Sequence, residues 1–289
     1  MNILFKLSYL FCLILAFFFT KPLWALTTPA QHGYTQNQDQ LLPSDIMAIK
    51  KKGVLTVAFY HYDIPPFFMH DNKGNWVGIE VDLAQKIADL LGVKLVIVPA
   101  PSFDAITIMV AEHKADMGMG LVGITPERAL YVSFTNPYYR FHPHLLVNRV
   151  LAAKEGWNPW NVLAKMETSE KPLKIGVLKA SGNIEVVQEN FPNAEIVPYD
   201  NIIDAMHDVI RQKLFAAVGN SPLQVRAFLK AHPGAVIQLS DVEIPSHTDL
   251  IAIALPWNSY HLREWLNNYL NYLLANNVQI QLLAKYGQS

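Results

Sequence analysis

One alternation of strands and helices occurs twice along this chain, and no other feature constrains its fold so tightly. Residues 53–59 read as a strand. Residues 79–91 carry Ile79, Leu83, Ala84, Ile87, Leu90 and Leu91 at helical spacing, and Gly92 follows as a stop. A strand at 94–98, a helix from Ser102 to about residue 113 and a strand at 116–122 complete the unit. The second unit has strands at 174–178, 195–197 and 216–219, with helices ending near Asn190 and spanning 201–214. Val98, Pro99, Val110, Lys114 and Gly120 recur as Val197, Pro198, Val209, Lys213 and Gly219, all at a separation of 99 residues. Such alternation specifies α/β units built on doubly wound sheets.

Residues outside the two units read as follows. Residues 152–171, with Gly156-Trp157-Asn158-Pro159-Trp160, form an excursion at the edge of the second unit. Residues 247–255 read as one further strand. Residues 259–274 form an amphipathic helix, with Leu262, Trp265, Leu266, Tyr269, Leu270 and Leu273 on one stripe, and a short helix closes the chain at 279–285.

The N-terminus has a different character. Lys6 precedes an apolar run at 7–19, and Leu23-Trp24-Ala25 offers a cleavage site. Residues 1–25 therefore have the pattern of a secretory signal peptide, with an uncleaved anchor as the alternative. The run is short for a membrane span. Cys12, the chain's single cysteine, lies inside it, so the processed chain has no thiol or disulfide chemistry. Removing Lys6 and Lys21 leaves 21 basic against 24 acidic residues, a charge of −3. That balance argues against a nucleic-acid partner. Residues 26–45, rich in Gln and Asn, read as a flexible leader.

The stretch Gly118-Met119-Gly120-Leu121-Val122-Gly123-Ile124-Thr125-Pro126-Glu127-Arg128 carries the chemistry. Its glycines expose backbone. Thr125 is a good N-cap and Pro126 suits a first helical position. A helix start there, followed by Arg128, would bind a carboxylate. An ordinary strand-to-helix turn with a surface arginine has the same local pattern.

Taken in order, several motifs resemble the family 3 extracellular solute-binding proteins, the periplasmic amino-acid receptors of ABC uptake systems. They are Gly53-Val54-Leu55-Thr56-Val57, Pro65-Pro66-Phe67, Gly78-Ile79-Glu80-Val81-Asp82-Leu83-Ala84, Ala115-Asp116-Met117-Gly118, Ile124-Thr125-Pro126-Glu127-Arg128, Phe134-Thr135-Asn136-Pro137-Tyr138-Tyr139 and Leu283-Ala284-Lys285-Tyr286-Gly287. The resemblance implies a two-lobed periplasmic-binding-protein fold of type II, with an α/β sheet in each lobe and two hinge crossings. Lobe 1 would comprise 46–143 plus 247–289, and lobe 2 148–242. The crossings would fall near His144 and Pro245.

On the same basis, Arg128 and Thr125 would hold a ligand carboxylate, and Phe103 would form an aromatic wall. Ile64 stands where a second aromatic is common, with Tyr62 close by. His61 falls near a position often acidic in receptors for basic amino acids. Leu121 and Gly123 would offer backbone contacts, and Ser181 and Gly182 match the lobe-2 turn. One departure matters: Asn220 stands where family members carry the acid that pairs a ligand ammonium. Either another acid, such as Glu185 or Asp249, takes that role, or the ligand has no α-ammonium.

The expected function is thus capture of a small carboxylate, an amino acid or related acid, by a monomeric periplasmic receptor that hands it to an inner-membrane ABC permease. It is not expected to be an enzyme, and neither a cofactor nor a metal is expected. The alternatives are a cyclohexadienyl dehydratase-like enzyme on the same fold, for which Glu185 lies one residue from the family's acid, and a sensor or partner-binding module.

Overall fold

The computed structural model describes residues 41–219 and 221–286. Residues 1–42 and 43–289 are two compact units, and of the first only Leu41 and Leu42 are described. The expected signal peptide at 1–25, most of the expected leader and Asn220 lie outside the described residues.

In chain order, the second unit begins with α1 (Ser44–Lys52), β1 (Val54–Tyr60), β2 (Met69–His70), β3 (Trp76–Val77) and α2 (Ile79–Leu91). Then come β4 (Lys94–Ala100), α3 (Phe103–Ala111), β5 (Met117–Gly118), β6 (Ser133–Phe134), β7 (Tyr139–Phe141) and β8 (His144–Asn148). Next are α4 (Arg149–Lys154), α5 (Val162–Glu167), β9 (Lys174–Leu178), α6 (Asn183–Asn190), β10 (Glu195–Tyr199), α7 (Ile202–Ile210) and β11 (Ala216–Gly219). The chain finishes with α8 (Pro222–Ala231), β12 (Leu239–Glu243), β13 (Asp249–Ile251), β14 (Ala254–Leu255), α9 (Tyr260–Ala275) and α10 (Val278–Lys285). None of the described helices is long and apolar enough to cross a membrane.

Two five-stranded sheets organise these elements, in the orders β4-β1-β5-β14-β6 and β10-β9-β11-β8-β12. Each has a parallel trio, β4-β1-β5 or β10-β9-β11, and beside it an antiparallel strand, β14 or β8. The 99-residue register therefore pairs equivalent elements: Val98 with Val197 in β4 and β10, and Val110 with Val209 in α3 and α7. Strands buried on both faces need continuous apolar sequence. Accordingly Leu55, Val57, Ala58 and Phe59 of β1 and Leu145, Leu146 and Val147 of β8 are fully buried.

Caps set several helix starts. The Ser102 hydroxyl accepts from the Ala105 N–H at 3.0 Å, and Ser221 accepts from Gln224 at 3.2 Å, ahead of Pro222. Asn148 serves β8 and α4 together. Its Oδ1 accepts from Leu151 N–H at 2.9 Å, and its buried Nδ2 donates to the Val209 carbonyl at 2.7 Å.

The two segments linking the sheets run side by side. β7 pairs antiparallel with β13, Tyr139 opposite Ile251 and Phe141 opposite Asp249. Ile244 N–H then donates to the Pro143 carbonyl at 2.9 Å. His142 Nδ1 lies 2.7 Å from the His247 carbonyl, and His144 Nδ1 2.5 Å from Asp241. The H-x-H pair at 142 and 144 thus braces the linking strands.

Several local readings change. The single strand expected at 247–255 is two, because Ala252 and Ile253 carry the chain from β13 to a different sheet. The expected leader at 26–45 reaches too far, since α1 starts at Ser44 and Asp45 caps a distant helix. Asp45 Oδ2 accepts from the His261 and Leu262 N–H groups at 2.9 and 3.0 Å. The excursion at 152–171 contains α5 and the end of α4.

Candidate ligand-binding site

The loop after β5 builds the site. Gly120 has φ of 88°, and a Cβ there would stand 2.6 Å from the Phe59 ring, so only glycine fits. Leu121 follows at φ 66°, an uncommon conformation for a branched side chain. Two contacts hold this backbone down. The Gly120 N–H donates to Glu80 Oε2 at 3.2 Å, and the Tyr138 hydroxyl donates to the same oxygen at 2.6 Å. Glu80 is fully buried, and burial raises its pKa to about 7 against the lowering effect of the Tyr138 and Gly120 hydrogen bonds.

Beyond Leu121, the loop joins β13. Gly123 bridges Ile251, Ile124 N–H donates to the Leu250 carbonyl at 2.8 Å, and Ala252 N–H to Val122 at 3.1 Å. The expected helix at Thr125-Pro126 does not form. Only a three-residue 3-10 turn, Arg128–Leu130, is present. The Thr125 hydroxyl still accepts from the Arg128 N–H, at 3.2 Å. A single turn aligns too few peptide dipoles to act as a helix N-terminus. Any anion affinity here therefore comes from the Arg128 guanidinium.

Arg128 is 8% exposed. Its Nε and Nη2 donate to Asp104 Oδ1 at 3.1 and 3.0 Å, and Nη1 donates to the Gly123 carbonyl at 3.1 Å. Nη2 also reaches the Ala180 carbonyl, at 3.4 Å, across from the first sheet to the turn after β9. A second cross-connection lies nearby, where the Tyr60 hydroxyl donates to the Asp200 carbonyl. Burial, then Asp200 and Tyr62, push the Tyr60 phenol up to about 12, so it stays a donor at neutral pH.

Arg128 separates two spaces. The smaller, about 40 Å³, is lined by Phe103, Leu121, Gly123, Arg128, Ser181, Gly182, Asn183, Asp249 and Ile251. The larger cleft, about 400 Å³, has Arg128, Ser181 and Gly182 on its wall together with Asp104, Thr125, Glu127 and Glu185. Ser181 Oγ donates to the Leu178 carbonyl at 2.7 Å, which fixes the turn. A Cβ on Gly182 would meet nothing within 4 Å.

Of the residues named from sequence, Arg128, Gly123, Leu121, Phe103, Ser181 and Gly182 come together around the small cavity, and Thr125 faces the larger cleft. Ile64 does not join them. It is 1% exposed and bridges Phe68, because the chain closes a tight turn there and points the side chain into the core. His61 and Tyr62 line neither space. The His61 Nδ1 is 2.9 Å from the Ala100 carbonyl, and the Tyr62 ring packs on His61 and Tyr60. The aromatic beside Phe103 is instead Tyr60, stacked at 5.2 Å between ring centroids. As the last residue of β1 it stands at a strand C-terminal end, the usual place for ligand contacts in open α/β sheets. Asp104 was also missed, although it directly follows Phe103 at the start of a capped helix.

Comparison with known proteins agrees with this architecture. The pattern of the bacterial extracellular solute-binding proteins, family 3, matches residues 55–289. ABC transporter arginine-binding protein 1 of Escherichia coli is 25% identical over 218 residues, 73% of this chain and 82% of its own. Cyclohexadienyl dehydratase of Pseudomonas aeruginosa is 36% identical over 101 residues, 35% of this chain and 37% of that enzyme. The crystal structure of the ancestral amino acid-binding protein AncCDT-1, a precursor of cyclohexadienyl dehydratase, superimposes with a TM-score of 0.71 at 26% identity, covering 84% of this chain and 99% of that one. With two α/β lobes, two linking strands and a family match over most of its length, the chain belongs to the bacterial extracellular solute-binding proteins, family 3.

Proposed function

We propose that this protein is the solute receptor of an ABC uptake system, working in the periplasm as a monomer and holding a small carboxylate ligand at Arg128. The observation that carries this reading is a buried guanidinium at the meeting of the two lobes, 3.4 Å from the Ala180 carbonyl. Arginine presents paired N–H donors that match a carboxylate. The cavity of about 40 Å³ has room for a few waters and not for an amino acid, so the lobes must part for a ligand to enter. Hinge closure then surrounds it. Arg128 meets the carboxylate in lobe 1, and the Ser181–Gly182 turn approaches from lobe 2. A permease would recognise the closed form.

Isothermal titration of R128A against the ligand tests the assignment. Loss of a buried charge-assisted pair should weaken binding by about 3 kcal/mol or more, over a hundredfold. Unchanged affinity removes Arg128 from the site.

The dehydratase relative supports a second reading, elimination of water from a cyclohexadienyl substrate. Glu185 lines the larger cleft together with Arg128, and its carboxyl would serve there as the general acid. Incubation with prephenate or arogenate and mass spectrometry decides it. Turnover that is lost in E185Q would establish the enzyme, and no turnover leaves the receptor.

A further inference from the structure

The small cavity holds two side chains of opposite charge that do not pair with each other. Arg128 has Asp104 as its ion-pair partner. Asp249 lines the same cavity with a side chain 20% exposed, and its ion-pair partner is His247, whose Nε2 lies 3.2 Å from Oδ1. Both charges are fixed to one block of backbone. Asp249 opens β13, which is joined to the site loop by the Gly123–Ile251 bridge and the Ile124–Leu250 hydrogen bond. Arg128 is tied to that loop through its own bond to the Gly123 carbonyl. The backbone carrying the anion is therefore tied to the loop that holds the guanidinium.

We propose that Asp249 receives the ammonium group of an α-amino acid whose carboxylate is held by Arg128. The proposal rests on the reading of Arg128 as the carboxylate site. A zwitterion carries both charges on adjacent groups, and a buried ammonium without a counter-charge is strongly unfavourable. Glu185, the other acid considered from sequence, lines the larger cleft and not this cavity. The turn from lobe 2 contributes Ser181, Gly182 and Asn183, which carry no charge. Both ends of the amino acid are thus read by lobe 1, and lobe 2 closes over them. His247 is a positioning residue that holds one carboxylate oxygen and leaves the other for the ligand. Burial raises the Asp249 pKa, and His247, Arg128 and His142 act against that rise. An arriving ammonium acts in the same sense as these three.

The test crosses protein variants with ligand pairs. The mature protein is screened by thermal shift against the twenty common L-amino acids. The strongest binder and its des-amino acid are then titrated calorimetrically into wild type, D249N and R128A. Asparagine is nearly the size of aspartate, and a melting curve for each variant reports folding. We expect D249N to weaken the amino acid about thirtyfold or more and to leave the des-amino acid within about threefold. H247Q, which keeps the carboxylate, should show a smaller loss in the same direction. Equal amino-acid affinity in D249N and wild type overturns the Asp249 assignment, and if R128A still abolishes binding the carboxylate reading survives. A des-amino acid that binds wild type as tightly as the amino acid also overturns it. No binding of any of the twenty acids overturns both readings.

Discussion

The guanidinium of Arg128 and the carboxylate of Asp104 meet side-on, with Nε and Nη2 both about 3 Å from the single oxygen Oδ1. The arginine side chain is 9% exposed and the aspartate 60%. Such an arrangement orients the buried partner while water screens the exposed one. D104N keeps an oxygen acceptor and removes only the charge. We expect a stability loss below about 1 kcal/mol and a change in ligand affinity of less than about tenfold. Urea denaturation with parallel calorimetry checks both, and a loss as large as that of R128A would make Asp104 part of the binding site proper.

Glu80 makes stability depend on pH in a definite direction. Its folded pKa of about 7 lies above the ordinary 4.5. Stability from this group is therefore fully present below pH 4.5 and is lost as pH rises through 7, by about 3 kcal/mol at most. E80Q should abolish that slope while keeping an acceptor for Gly120. Denaturation of both proteins at pH 4.5 and 7.5 gives the comparison. Parallel slopes in the two would show that Glu80 does not titrate across this range.

Two glycines should respond in opposite ways to alanine. A Cβ at Gly78 would lie 2.2 Å from the Phe67 carbonyl oxygen, at a φ of 136°, and backbone cannot yield cheaply. G78A should cost about 3 kcal/mol or more. Gly182 has open space around its Cβ position and a φ of −59°. G182A should melt within about 2 °C of wild type and weaken ligand binding, because the new methyl stands at the cavity wall. Differential scanning fluorimetry separates the two. A normal melting point for G78A would contradict the close contact.

Removing the Tyr60 hydroxyl should loosen the closed state. That hydroxyl spans from β1 to the Asp200 carbonyl, and a hydrogen bond of this kind is worth about 1 kcal/mol. Y60F should raise the open-to-closed ratio about fivefold, visible as a larger radius of gyration in small-angle scattering without ligand. An unchanged scattering curve would mean that the contact does not contribute to closure.

Much of this was legible beforehand, for identifiable reasons. After Lys174, β9 is a short run of small or branched apolar residues, as is β11, and α2 shows an unbroken helical stripe, so local sequence specifies these elements. Ser102 caps its helix as its chemistry predicts, whereas the helix that Ser221 caps at Pro222–Ala231 was not anticipated. The Thr125 turn misled because cap, proline and acid are cues for starting a helix and say nothing of its length. After one turn the chain must enter β6, and tertiary pairing prevails over local propensity. Ile64 misled for a related reason, since its environment depends on the Phe68 bridge and not on its neighbours in sequence. Asp249 was visible as an acid, yet its place at the cavity depends on the pairing of β13 with β7 and the Gly123 loop, which no local pattern encodes.

The strand order of the two sheets also fixes when each is finished as the chain is made. Every strand of the second sheet comes from residues 144–243, so that sheet is complete once they are available. The first sheet holds β14 between β5 and β6, and its missing interior strand comes from residues 254 and 255. Until they arrive, β5 and β6 each present an unpaired edge more than a hundred residues after they were made, and such edges are templates for wrong partners. The lobe whose first strand appears earliest is thus the later one to close its sheet. Truncations that stop short of Ala254 should leave it aggregation-prone while the second sheet retains all its strands.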